Sequence, residues 1–451
     1  MWYLINKSQA AYNMKCNIDH FQQTLQQFSI ESLAVASGYS KRSDGKLGAS
    51  KMLITFFAMM FSGSFSYRIW SMKFSNLLDV DVSFQAIAKR ISRKSARFFE
   101  LLLAKVLTQS AEKIHGISIS KLFDSFGNVL VEDSTCVRMK DQLIKCFSGS
   151  RSNGKKKAQA RIQVLVELKR CIVKAVELCK YSRNDVSYAA NVVKHLQPGD
   201  LILRDLGYWD ISVLQAIIDM EAFFLSRLKL NSLVNLMNVS DLKLVRLLRK
   251  ADKNGIRSID IEITVGAIKV KCRLVAIKLP PEIVAERIRK IRRRRNGKCR
   301  NLSPNFLYLQ SWNLFITNVE EEVWSTAEVA QAYTVRWQIE IVFKCWKSKF
   351  KLAQLLRNCT GSDPDKPVIL FHLFMIWMLL FFQPLFHFYQ GQVAKHKRFL
   401  SPAKFATYLL ETPEILDLDK YEKHMRNVIR FCCFDERKDR VCLMSLVHTV
   451  F

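Results

Sequence analysis

The apolar and polar positions between Glu328 and Lys351 predict one long amphipathic helix. Val335, Ile339, Val342, Trp346 and Phe350 follow the i, i+4, i+7, i+11, i+15 spacing of a face packed on a core. On the opposite side, a turn of about 100° per residue brings Tyr333, Arg336, Glu340, Lys344, Lys347 and Lys351 within about 80° of one another. At a rise of about 1.5 Å per residue the stretch from Tyr333 to Lys347 is about 21 Å long, and it carries one carboxylate among cations. A solvated face laced with i, i+4 pairs such as Glu340 and Lys344 has the same pattern, so the helix alone does not assign the stripe a role.

Upstream, residues 1–118 have helical periodicity and almost no strand signal, in FQQTLQQFS, SKMLITFFAMMF and SFQAIAKRISRKSARFFELLLAKVL, with turns at Ser43 to Gly48 and Asp79 to Ser83. Ser83 is placed to cap a helix with Phe84, Ile87, Ile91 and Phe98 inward and Lys89, Arg90, Arg93, Lys94 and Arg97 outward. A basic helix in a small all-α domain suits DNA, and a solvated charged face equally. From Asn128 the pattern changes to strands: NVLVEDSTCVRM, a hairpin of RIQVLVEL and CIVKAVELCKY about Lys169 and Arg170, a helix near Tyr188 to Leu196, then LILRDLGYWD. That order predicts an α/β sheet.

A stretch of different texture follows Leu228, ending in the alternating IRSIDIEITVGAIKVKCRLVAIKLP. Nine basic residues and no acid then lie between Arg287 and Arg300, with Arg292, Arg293, Arg294 and Arg295 in a row, which predicts an exposed phosphate-binding loop. Residues 229–305 therefore read as an inserted β subdomain with a basic arm. FLYLQSWNLFITNV resumes as strand. The expected divisions are an all-α domain at 1–118, an α/β domain at 119–228 and 306–390 around the insertion, and a helical C-terminal segment at 391–451.

Composition narrows the partners. A chain of 451 residues that is 49% hydrophobic, with 30 Phe and 8 Trp, can bury the cores of two or three domains and is not disordered. Its formal charge of +30 argues for a polyanion, nucleic acid before small acidic substrates. The 12 Cys show no CxxC pair and no Cys/His cluster of zinc spacing, which reads as reduced thiols in a cytoplasmic protein. MWYLINKSQ has no basic segment leading into an apolar run, so no signal peptide is indicated. Val368 to Phe382 carries no Asp, Glu, Lys or Arg and invites a membrane reading. Gln383 and Pro384 break it and His372 interrupts it, so a buried core helix is expected, as for residues 52–61.

Asp133 inside the first strand and Asp205 at the end of LILRD are unusual places for Asp. Each has a local alternative: Asp133 can stabilise a turn, and Asp205 can cap a helix beginning near Ile211. If their strands are neighbours, the two carboxylates meet at one sheet edge, where α/β ligand sites collect. With Glu340 on a helix they make the all-oxygen set that hard divalent cations need. Two such ions about 4 Å apart can drive an in-line displacement at phosphorus.

The spacing Tyr333-x2-Arg336-x3-Glu340-x6-Lys347 is the complete Tyr-Arg-Glu-Lys signature of the insertion-sequence DDE transposases of the "IS-four" family, which this chain resembles. VEDST around Asp133, PGDLILRDLGY around Asp205, FFLSRL ending at Leu228 and FITN before the signature are similar to that family's blocks. The resemblance implies an RNase H-like, retroviral integrase-like catalytic domain interrupted by a β insertion. It makes Asp133, Asp205 and Glu340 the catalytic metal ligands for Mg²⁺, two ions, with Mn²⁺ as a substitute. Tyr333, Arg336 and Lys347 would hold phosphates of the transposon end, with Lys344 on the same stripe a further DNA-binding candidate, and Trp312 would stack a flipped base, although a core place in its strand fits Trp312 as well.

The expected partners are double-stranded DNA, as terminal inverted repeats and target, and a second copy of the chain in a homodimer, without a membrane. The expected location is cytoplasmic and nucleoid-associated. A non-catalytic DNA-binding protein derived from a transposase, and a membrane-associated protein built on Val368 to Phe382, are the rivals.

Overall fold

The computed structural model of the chain describes residues 25–41, 45–113, 121–152, 154–237, 243–294, 302–416 and 420–435. Its centre is one mixed sheet, sandwiched between two helical layers. The strands are β1 (Val129–Arg138), β2 (Ser148–Ser152), β3 (Lys155–Glu167), β4 (Ile172–Lys180), β5 (Leu201–Arg204), β6 (Phe223–Arg227), β7 (Val234–Leu236), β8 (Ser258–Val265), β9 (Val270–Lys278) and β10 (Trp312–Thr317). β1, β3 and β4 form an antiparallel meander, as the alternation predicts. β5 then lies parallel to β1 and β6 parallel to β5. Short β5 is buried at all four positions, as a strand covered on both faces should be.

Alternation along β1 sends its side chains into two cores. Val129, Val131 and Val137 join Leu201 and Leu203 in the larger one, under the helices from both ends of the chain. Leu130 and Ile202 join Val192, Val213 and Ile217 in the smaller one on the other face.

The helical N-terminal region is present as expected, with no strand among its described residues. Its helices are Ile30–Ala36, Ala49–Met60, Tyr67–Leu78, Phe84–Arg90 and Arg93–Lys113. Ser83 accepts the Ala86 amide and caps as expected, but the basic segment is two helices that break at Ile91 and Ser92. The buried side chains of this region are continuous with those beneath the sheet, so it has no separate core. Asp365–Trp377 continues through a π turn at Met378–Phe382 into Gln383–Ala394. By length and composition this helix could cross a membrane, yet 78% of its most apolar window is buried inside the protein. It is the expected core helix, and aromatic edges of Trp346 and Phe350 pack on it. Helices Pro402–Glu411 and Tyr421–Phe431 follow.

Between residues 229 and 311 the structure differs from expectation in three places. The strands of the insertion do not stand apart: β9 pairs with β10 and β8 with β9, so they extend the central sheet, accompanied by helix Leu244–Lys253. The first part of the basic run is also not a loop, because Pro281–Arg294 is helical. Its Val284, Arg287, Ile288 and Ile291 are half-buried, while Arg292 and Arg293 are exposed. Arg295 lies outside the described residues. Finally, FLYLQSW is not strand throughout; Pro304–Leu309 is a helix with Ser303 as its cap and Pro304 at its first position.

Candidate active site

β1 and β5 pair in register, Glu132 opposite Arg204. The next residues, Asp133 and Asp205, therefore come to one edge and one face of the sheet. Leu206–Tyr208 forms a single 3-10 turn after β5, and its Gly207 amide donates to Asp205 Oδ2 at 3.3 Å. The helix beginning at Ile211 is capped by Asp210, which accepts the Ser212 and Val213 amides, so Asp205 is not its cap. The Asp205 side chain stays 43% exposed.

The signature segment crosses this face. It is not one continuous α-helix: Thr326–Thr334 is helical behind a Ser325 and Glu328 capping box, Val335–Trp337 is a 3-10 turn, Gln338–Lys344 is helical, and Cys345–Lys349 is a π turn. The expected apolar side is nonetheless packed, with Val335, Ile339, Trp346 and Phe350 buried.

Glu340 and Arg336 face the two aspartates. Arg336 Nη1 donates to Asp133 Oδ2 at 3.1 Å, and Nη2 lies 3.8 Å from Asp205 Oδ1 and 3.5 Å from Glu340 Oε1. One guanidinium, 7% exposed, thus gathers all three carboxylates. The Ser134 amide donates to Asp133 Oδ1 at 2.7 Å. Burial pushes the Asp133 carboxyl up to about 6, aided by Asp205 and Glu340 and opposed by the Ser134 amide and Arg336. Burial works against charge on Arg336, but Tyr333 and the three acids outweigh it and its pKa rises. The donor set is hard oxygen and suits a divalent cation. As they stand the acids surround the guanidinium, and among the described residues no three acidic, histidine or cysteine side chains are spaced to hold one ion.

The remaining stripe residues separate. Lys347 Nζ donates to Thr135 Oγ1 at 2.6 Å, two residues along β1 from Asp133. Lys344 is exposed. Tyr333 is not on the surface: 4% exposed, it packs on Phe315 with ring centroids 5.1 Å apart, beneath Arg227 and Arg336. Its hydroxyl has no hydrogen-bond partner among the described residues. Trp312 is a core residue of β10, 2% exposed and under Lys278, and forms a wall of a cleft of about 830 Å³ shared with Arg227, Lys229, Arg287 and Asn313. A second cleft, about 630 Å³, is lined by Asp260, Glu262 and Glu320 to Glu322 against Lys271 and Arg273, a net negative charge and the wrong sign for nucleic acid.

Sequence reasoning missed the opposite face of β1. There Glu132 and Arg204 form a fully buried ion pair at 2.9 Å. Ser134 Oγ donates to Asp185 Oδ1 at 2.6 Å, and Arg161 donates to both. Tyr208 donates to Gln163, whose amide reaches Asp185. A Cβ at Gly207 would stand 2.9 Å from Asp185 Oδ2, so any side chain there would have to displace the Asp185 carboxylate. Also missed was the ribbon of β2 and β3, where Arg151, Lys155 and Lys156 are exposed and no acid occurs from 142 to 166. That acid-free run was the available signal.

Comparison with known proteins bears on this geometry. Residues 124–360 match the family model described as Transposase DDE domain. The chain is 28% identical over 300 residues to the transposase for insertion sequence element IS1151 of Clostridium perfringens, covering 63% of each. It is 26% identical over 284 residues to the transposase for insertion sequence element IS231F of Bacillus thuringiensis subsp. israelensis, covering 59% of each. The chain thus spans about six-tenths of the length of these relatives. Among solved structures, the cryo-EM piggyBac transposase synaptic complex with hairpin DNA is similar with a TM-score of 0.42 and 11% identity over 89% of this chain and 80% of that one, too loose a likeness to carry the fold.

Proposed function

Because this chain belongs to the transposase DDE domain family, we propose that it is an insertion-sequence DNA transposase that binds terminal inverted repeats, nicks to expose a 3′ hydroxyl and transfers that end to target DNA. The observation that carries the reading is the meeting of Asp133, Asp205 and Glu340, from two strands and a helix, at one partly open sheet edge. The strand order β4-β3-β1-β5-β6, a meander followed by two strands parallel to β1, supports an RNase H-like core.

Asp133, Asp205 and Glu340 are the residues that would hold Mg²⁺, two ions, or Mn²⁺ in its place. When bound, such ions activate an attacking oxygen and stabilise a leaving one. The protein's own part is positioning. Lys347, held at Thr135 two residues from Asp133, and the exposed Lys344 would meet phosphates, as would Arg336 and the Tyr333 hydroxyl. The exposed Arg292 and Arg293, which Arg294 and Arg295 follow in sequence, would with Arg151, Lys155 and Lys156 give a wider phosphate-binding surface, in keeping with the charge of +30. Two transposon ends call for a homodimer, working on the nucleoid in the cytoplasm.

Asp205→Asn and Glu340→Gln each remove one ligand charge and keep the shape. Both variants should bind a duplex like the parent and lose Mg²⁺-dependent nicking of a labelled end. Robust nicking by Asp205→Asn would sink the assignment.

A further inference from the structure

Arg336 sits where the carboxylates would need a metal to sit. It is a helix residue on the 3-10 turn Val335–Trp337, held between the rings of Tyr333 and Trp337 at 5.8 and 5.5 Å. Of its three acidic neighbours, only Asp133 is within hydrogen-bond distance, 3.1 Å, while Asp205 and Glu340 lie at 3.8 and 3.5 Å. Those two looser partners are also the two exposed ones, at 43% and 42%. Three acids and one cation leave the cluster short of positive charge. A single guanidinium cannot neutralise it, yet it blocks the space between the acids. The guanidinium fork fits a phosphate as readily as a carboxylate.

We propose that Arg336 is an exchangeable counter-ion of this site. In the DNA-free protein it holds the three carboxylates together and competes with divalent metal for them. A DNA phosphate draws it off Asp205 and Glu340 and so opens the site. Metal and DNA then bind with positive coupling, which by linkage must act in both directions. The protein would be slow to load metal until DNA is present. This inference rests on the reading of Asp133, Asp205 and Glu340 as metal ligands. It makes Arg336 a positioning residue with a sign opposite to that of a plain scaffold: removing a scaffold loosens the acids and weakens metal binding, whereas removing a competitor strengthens it.

The test is Mn²⁺ binding by the full chain, read by electron paramagnetic resonance of free Mn²⁺, without and with a short blunt duplex at low salt. Without DNA, Arg336→Gln should bind Mn²⁺ on the order of tenfold more tightly than the parent. Adding the duplex should tighten Mn²⁺ binding by the parent and change Arg336→Gln little. Equal or weaker Mn²⁺ binding by Arg336→Gln without DNA overturns the proposal, as does a duplex that leaves the parent unchanged. If thermal unfolding shows that Arg336→Gln does not fold, Arg336→Lys decides by the same measure, since an ammonium cannot span three acids and should also bind Mn²⁺ more tightly than the parent. Asp205→Asn separates the two levels of the argument. If it binds Mn²⁺ like the parent, the metal-site reading itself fails; if it loses Mn²⁺ while Arg336→Gln gains nothing, only the role of Arg336 fails.

Discussion

The two faces of β1 are built from the same kinds of residue and solve opposite problems. On one face Glu132 meets Arg204 with both side chains at most 3% exposed, and Ser134, Asp185, Arg161, Gln163 and Tyr208 close a hydrogen-bonded chain. Each acid there has a close cation. On the other face, one residue away, three acids share Arg336, and two of them are more than two-fifths exposed. A buried charge must be paired, so the first face is scaffold. Surplus charge left at an open edge marks a place for something else to bind.

The sharpest way to break this contrast is to remove one partner on each face. Arg204→Met alone should cost about 3 to 5 kcal/mol in chemical denaturation, because Glu132 is left buried and unpaired. Arg204→Met combined with Glu132→Leu should recover most of it. Glu340→Gln, by contrast, should stay within about 0.5 kcal/mol of the parent, since its partner is shared and it is open to water. A large stability loss in Glu340→Gln would mean that both faces are scaffold.

Acid sharpens the comparison next. Burial pushes Glu132 up to about 7 and Asp133 up to about 6. With folded values above the unfolded ones, both groups favour the folded state more as pH falls, so neither face should drive acid unfolding. The helical layer should. Burial pushes His372 and His387 down to about 4. The unfolded chain then binds the extra protons, and stability should fall between pH 6.5 and 4, by at most about 3 kcal/mol per imidazole. In melting temperature against pH, His372→Gln should flatten this limb; an unchanged limb would return the acid sensitivity to the carboxylates.

Smaller effects test the open face against DNA. Lys347→Ala should weaken end binding and slow cleavage without abolishing either, by roughly 1.5 to 3 kcal/mol for a lost charge-assisted hydrogen bond, as read by gel shift and single-turnover rates. Least of all, each of Lys155→Ala and Lys156→Ala should lower the log-log salt slope of duplex binding by about 0.9 if that lysine neutralises one phosphate. An unchanged slope would remove the ribbon from the DNA surface.

Much of the candidate site's layout was legible because it is written in spacing. Asp133 and Asp205 stood out by lying where strands disfavour Asp, and the apolar series correctly buried Val335, Ile339, Trp346 and Phe350, with Val342 at i+7 only half-buried. What periodicity could not show is the 3-10 turn at Val335–Trp337 and the π turn at Cys345–Lys349, since each changes only which carbonyl an amide chooses. Nor does a pattern of cations say which way a guanidinium turns: Arg336 was expected to face phosphate, and it faces acid. Alternation identified β8 and β9 as strands but not their partner. The helix Pro281–Arg294 was hidden by its charge, although Val284, Ile288 and Ile291 carried the helical period.

That the insertion continues the sheet has a consequence for how the chain acquires its structure. β6 closes on β10 only after the whole insertion has been made, with Ser226 opposite Ile316. Until then β6 offers an open row of amides and carbonyls, and afterwards β10 depends on β9 to cover its own. Excising residues 229–305 would therefore not leave a smaller working core; it would expose the apolar edge WNLFIT and favour sheet-to-sheet aggregation. The long loop closure also makes this pairing a late and slow step, the one at which a nascent chain is most vulnerable.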